Sequence, residues 1–265
     1  MLSHSKNIQR IISSGGTTPD PSDPPTNFDV EVLGPPDPPT NFNVEVFGVE
    51  PEGDPYAPVH GNEFTWGGFT YKVVVRDYGG GNRLAWLDRN LGASRVATSS
   101  TDSNSYGYLY QWGRLTDGHQ IRTSGTTETL STTDEPGHGS HILAPDSPND
   151  WRSPQNDNLW QGVNGTNNPA PPGWRLPTKA EWQDERRSWS TNNDVGAFAS
   201  PLKLPMTGQR NWVSGSLTFS QQYGYYWSST VDGTRARFLF FSSGNAFVSD
   251  TRRAAAHSVR CVRSI

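Results

Sequence analysis

Residues 69–92 read FTYKVVVRDYGGGNRLAWLDRNLG. Phe69, Tyr71, Val73 and Val75 recur every second residue, so their side chains fall on one face of an extended strand. Gly79-Gly80-Gly81-Asn82 then supplies the positive-φ positions of a tight turn, and the chain returns as a second strand. The glycine run lacks the spacing of a phosphate-binding loop and no helical periodicity follows it, so it is a turn and not a nucleotide cradle. A β hairpin therefore sits at the centre of the fold.

Working outward, the composition agrees with a loop-rich β protein. Hydrophobic residues make up only 32%, yet there are 10 Trp, 9 Tyr and 11 Phe, so the core must be built from aromatic rings. The 27 Gly and 21 Pro favour turns over long helices. Downstream, PTKAEWQDERRSW opens with Thr178 and Glu181 at the spacing of a capping box. Trp182 and Trp189, one heptad apart, share one helix face, and Asp184 and Glu185 are assigned to an exposed face. From Tyr225 to Phe247 the pattern returns to strand-like alternation with Ser, Gly and Asn at the turns. The predicted class is α+β, with loop-rich insertions between hairpin, short helix and terminal strands.

Upstream, DPPTNFDVEVLG and DPPTNFNVEVFG repeat one another within residues 23–48. Each Pro-Pro pair favours an extended lead-in, and Phe28, Val30, Val32 and then Phe42, Val44, Val46 alternate along two short strands. Such a strand cannot bury its apolar face alone. The division expected is an N-terminal anchor or linker over 1–22, a duplicated Pro-rich β stem over 23–56, and a ligand-binding domain over 57–265.

Charge is unevenly spread along a chain of net charge −4. Residues 1–60 hold nine acidic residues against Lys6 and Arg10, whereas residues 235–265 hold six arginines against Asp250. The acidic total speaks against nucleic-acid binding. No stretch approaches the ~18 apolar residues of a membrane span, and MLSHSKNIQRIISSGG lacks the apolar core of a secretory signal. No membrane insertion and no export by that route are expected. Cys261 is the sole cysteine, which excludes an intrachain disulfide and suits a small buried side chain.

An ordered series of motifs, WLDRNLGASRVAT, YGYLYQWGR, DGH, NDWR, NLWQGVNGTNNP, GWRLPT, YWSST and SVRCVR, runs from Trp86 to Arg263. In this the chain resembles the Fibrobacter major paralogous domain family. The resemblance implies a C-type-lectin-like fold, related to the variable proteins of diversity-generating retroelements and to formylglycine-generating enzymes. Family members often carry a cysteine within the segment corresponding to NNPAPPGW, where this chain has Ala170, so the partner implied for Cys261 is missing.

Catalysis has little to stand on. The formylglycine-generating relatives rely on a cysteine pair, and no GxSxG elbow occurs. His138 and His141 form HxxH with His119 upstream, but a zinc site needs a third ligand and rigid aim. These histidines are read as hydrogen-bonded loop residues, and no catalytic residue, metal or cofactor is expected. The EPN or QPD triplet of calcium-dependent sugar binding is absent.

A binding surface remains. Tyr226, Arg235, Arg237, Phe238, Phe240, Asn245, Phe247 and Arg252 interleave aromatic, cationic and polar side chains, the mixture that makes hot spots. Trp227, Leu239 and Phe241 are assigned to the core, with Phe238 and Phe240 on the opposite face. An anchor and duplicated stem ahead of a lectin-like domain read as a bacteriophage tail or head fibre, localised to the virion. It would be a trimer that joins other virion proteins through its N-terminus and a host cell-surface glycan or protein through its C-terminal domain. The alternative is a bacterial surface or secreted carbohydrate- or protein-binding module.

Overall fold

The computed structural model describes residues 53–265. The anchor, the two repeats and most of the stem lie outside the described residues. In chain order the strands are β1 (Glu63–Trp66), β2 (Phe69–Asp77), β3 (Arg83–Leu87), β4 (Tyr110–Gln111), β5 (Thr126–Thr127) and β6 (His141–Ile142). Two helices follow, α1 (Lys179–Arg187) and α2 (Asp194–Ala199). The chain then forms β7 (Gln209–Arg210), β8 (Leu217–Thr218), β9 (Gly224–Asp232), β10 (Arg235–Phe241), β11 (Ala246–Arg252), β12 (Ala256–His257) and β13 (Val262–Ser264). The described chain is thus mostly β, with its helical part limited to α1, α2 and a single 3-10 turn over Ser103–Ser105.

The hairpin read from the sequence is β2–β3, antiparallel with Val73 opposite Leu87, and its turn closes through the Asn82 amide donating to the Gly79 carbonyl at 2.9 Å. β1 joins β2 across Gly67-Gly68, both at positive φ, which is the two-residue turn whose twist matches the strands it connects. On the other edge β13 pairs with β3, Val262 opposite Trp86, so the sheet runs β1-β2-β3-β13. A second sheet, β11-β10-β9, carries the segment of the candidate site, and a third, β4-β12-β7-β8, lies among the loops.

Two aromatic clusters fill the spaces between these sheets. One gathers Tyr71, Val73, Tyr110, Trp112, Trp151, Trp160, Trp174, Trp227 and Phe238. The other gathers Trp86, Trp182, Trp189, Tyr226, Leu239 and Phe241. Removing one such indole from water contributes about 4–6 kcal/mol at ~25 cal/mol per Å². The rings also pin backbone: the Trp112, Trp151, Trp182 and Trp227 indoles donate to the carbonyls of Ser228, Trp112, Trp227 and Tyr110 at 2.7–3.0 Å. Each hydrogen bond ties two distant segments, which is how a chain poor in aliphatic residues keeps its loops in place.

Helix α1 begins with the capping box expected from Thr178 and Glu181. Trp182 packs between Trp86 and Tyr226, at ring separations of 4.9 and 5.8 Å. Glu185 corrects the sequence reading. It is fully buried, and its carboxylate accepts from Arg76 Nε at 3.1 Å, the Tyr78 hydroxyl at 2.7 Å and the Trp189 indole at 3.0 Å. It shares the face of Trp182 and Trp189 because it sits three residues after one and four before the other.

The basic C-terminal segment is likewise turned inward. Arg253 and Arg260 are each 1% exposed. Arg253 pairs with Asp157 at 2.6 Å and lies over Trp112, while Arg260 donates to Asn90 and to the Leu87 and Leu202 carbonyls. Arg263 reaches Asp54 at 2.6 Å. Much of the positive charge that the sequence places at this end is therefore spent on joining segments.

Candidate functional site

The strands of the second sheet are in register so that Tyr225, Phe240 and Phe247 lie opposite one another on β9, β10 and β11. Directly opposed residues share a face, and here the rings touch: Phe240 and Phe247 centroids are 4.8 Å apart, Phe240 and Tyr225 5.4 Å. Tyr223 extends the row at 5.4 Å from Phe240, and Phe219 extends it again at 5.0 Å from Tyr223. Phe219 and Phe247 are each 42% exposed, and Phe240 and Tyr223 are half-buried. The outcome is a contiguous row of four aromatic side chains open to solvent.

Phe219 adopts φ +61°, a left-handed conformation that is uncommon for a bulky residue and is retained only where the surroundings enforce it. The enforcing contacts are backbone: the Tyr223 amide donates to the Phe219 carbonyl at 3.1 Å, and the Gln221 amide to the Met206 carbonyl at 2.9 Å. The loop thereby presents an aromatic ring to water on a fixed support. Asn245 is exposed and Ser249 half-buried beside the row, which gives polar neighbours to an apolar stripe.

The residues singled out from sequence divide into three groups. Phe240, Phe247 and Asn245 are on the open row or beside it. Tyr226 and Phe238 are corrected to core: Tyr226 is fully buried with its hydroxyl donating to the Pro205 carbonyl at 2.7 Å, and Phe238 is 7% exposed against Tyr225 and Trp227. Both faces of this sheet are covered over most of its length, so alternation separates two cores there and not core from solvent. Trp227, Leu239 and Phe241 are fully buried, as expected.

The arginines are the third group. Arg237 pairs with Asp232 at 2.9 Å and with Asp250 at 3.6 Å, Arg235 pairs with Asp250 at 3.1 Å, and Arg252 lies 4.4 Å over the Trp212 ring. Arg235 and Arg237 are paired with carboxylates of the same sheet, whereas Arg252 packs on an aromatic ring. A bulge between Ala236 and Phe238 sets Arg237 in this position, and the Ser228 hydroxyl donates to its carbonyl at 2.9 Å. Phe219 and Tyr223 were missed from sequence because they precede the strand pattern; the aromatic density of LTFSQQYGYYW was the available signal.

Several of the groups weighed for chemistry are buried. His119 is fully buried, with Nδ1 donating to Asp117 at 2.6 Å and Nε2 accepting from the Gln111 amide at 3.1 Å. Burial lowers its pKa to about 4, and burial lowers those of His141 and His257 to about 3 each. His257 stacks on Trp227 at 4.1 Å. The Cys261 thiol is buried and its pKa is pushed up by desolvation; it belongs to the same apolar cluster as Ala170. Among the described residues no group of three or more His, Cys, Asp or Glu is placed to hold a metal ion, and no helix is long and apolar enough to cross a membrane.

No family model, no curated protein and no solved structure matches this chain.

Proposed function

We propose that the chain is a recognition component of a bacteriophage particle, a tail or head fibre whose C-terminal domain has a C-type-lectin-like architecture. Its open aromatic row would contact the host surface. The observation that carries this reading is the row Phe219–Tyr223–Phe240–Phe247. Four adjoining rings at 4.8–5.4 Å, partly in water, cost solubility, and the domain holds them there on hydrogen-bonded strands and a left-handed loop residue. Contiguous exposed apolar surface edged by polar residues marks an interaction site, and rigid aromatic anchors bind at a small entropic cost. Arg235 and Arg237, already paired with Asp232 and Asp250, favour a neutral or mixed partner, a glycan or a protein, over a polyanion.

In this proposal the N-terminal residues join other virion proteins and the duplicated stem assembles three chains. The test is adsorption of the full-length protein to a panel of bacterial strains, alongside Phe247→Ala and Phe219→Ala. Loss of an anchor costs about 2 kcal/mol of binding, roughly 30-fold, while melting temperature stays put. Normal adsorption by both folded variants sinks the row as the binding face. Light scattering on the same preparation is expected to give the mass of three chains, and a monomer sinks the stem's role.

A further inference from the structure

A second aromatic site lies away from that row, where the β1–β2 hairpin meets the loop that leads into β4. It is an open pocket of about 230 Å³, lined among others by Trp66, Phe69, Tyr71, Tyr108, Tyr110 and Thr116. Each wall is fixed. The Trp66 indole donates to the Pro169 carbonyl at 3.3 Å, and Phe69 meets Tyr108 edge to face at 5.8 Å. Gly92, at φ +76°, has no side chain to occupy the place of the Tyr108 ring; a Cβ there would lie 2.2 Å from it.

The hydroxyls are under-used. Tyr71, 1% exposed, accepts from the Gly92 amide at 3.0 Å, and among the described residues its own proton has no acceptor. Tyr110 and Thr116 hydroxyls are 3.2 Å apart, so whichever donates, one further proton is left over. Two hydroxyl protons on residues lining the pocket thus have no acceptor among the described residues, and none of its lining residues carries a charge. A ligand that satisfies this set is neutral, rich in acceptor oxygens and possessed of an apolar face to lay on an indole. At ~30 Å³ per water the pocket holds the volume of about eight waters, the scale of one small ring.

We infer that this pocket binds a single neutral pyranose, its C–H face on Trp66 and its oxygens toward Tyr71 and the Tyr110–Thr116 pair. The site is independent of the Phe219–Phe247 row. Saturation-transfer NMR on the full-length chain with methyl glucoside, methyl galactoside, methyl mannoside and N-acetylglucosamine tests it. At least one sugar is expected to receive transfer, strongest at ring C–H protons. Trp66→Ala is expected to abolish it, and Tyr71→Phe and Thr116→Val to weaken it about two- to tenfold, the scale of one neutral hydrogen bond. Phe247→Ala is expected to leave it unchanged. Should Trp66→Ala fail to fold, the two conservative variants carry the test. No transfer to any of the four sugars, transfer that survives all three pocket variants, loss with Phe247→Ala, or displacement by a proline-rich peptide with no sugar bound overturns the inference.

Discussion

One face of the β9–β10–β11 sheet carries two aromatic rows that differ only in what covers them. Tyr225, Trp227 and Phe238 are roofed by His257, stacked 4.1 Å from Trp227, and by the loops that the indole hydrogen bonds hold down. A few residues away Phe240 and Phe247 have the same chemistry and the same strands beneath them, but Phe247 is 42% exposed. Ring chemistry and strand pairing therefore do not set the role of a residue here. The cover does, and the first row holds the fold together while the second is left with apolar surface to offer a partner.

Acid is the broadest way to break the covered row. Buried His119, His141 and His257 have pKa values of about 4, 3 and 3, against ~6.5 in an unfolded chain. The unfolded state takes up protons first as pH falls below ~6.5, so stability complete above that value drains away toward pH ~3, the folded-state value of His141 and His257. At pH 5 the three together cost about 6 kcal/mol. Melting temperature should fall steadily from pH 7 to 5, and His257→Gln should remove about a third of that slope. A flat profile would show that imidazolium is tolerated inside.

Substitution sharpens the same contrast. Trp227→Ala, in the covered row, empties a site beside His257 and Phe238 and is expected to cost about 3–5 kcal/mol. Phe247→Ala, on the open row, should cost below ~1 kcal/mol. Urea titration of both variants settles it, and equal losses would erase the distinction between the rows. The smallest effect is expected at Arg235→Ala, whose side chain is 46% exposed in its pair with Asp250; surface pairs contribute roughly 0–1 kcal/mol. A loss that persists in 1 M salt would mean that the pair is better shielded than its exposure implies.

The legible parts were those governed by local rules. The Gly79–Asn82 turn, the capping box at Thr178 and the pairing of Trp182 with Trp189 all depend on neighbours within a few residues. Tyr226 and Phe238 show where such rules stop: period two states which residues share a face, but whether that face is wet depends on segments far along the chain. Glu185 is a different kind of miss, since its spacing from Trp182 and Trp189 placed it on the buried face and only its charge argued otherwise. Its three donors, Arg76, Tyr78 and Trp189, come from two separate segments, one of which no local reading connects to the helix. For the open row, Phe240 and Phe247 were readable from strand alternation, while Phe219 depends on a left-handed loop residue that sequence alone does not specify.

The pairing of β13 with β3 also sets a timetable. Arg260 donates to the Leu87 carbonyl across 173 residues of chain, and Val262 pairs with Trp86 next to it. At ~5–20 residues per second a ribosome needs about 9–35 s to make that interval. Throughout it the early hairpin waits with one edge of β3 unpaired. Closure of such distant contacts is intrinsically slow, so the newly made chain passes through a long interval with an open strand edge, a template for pairing with another chain.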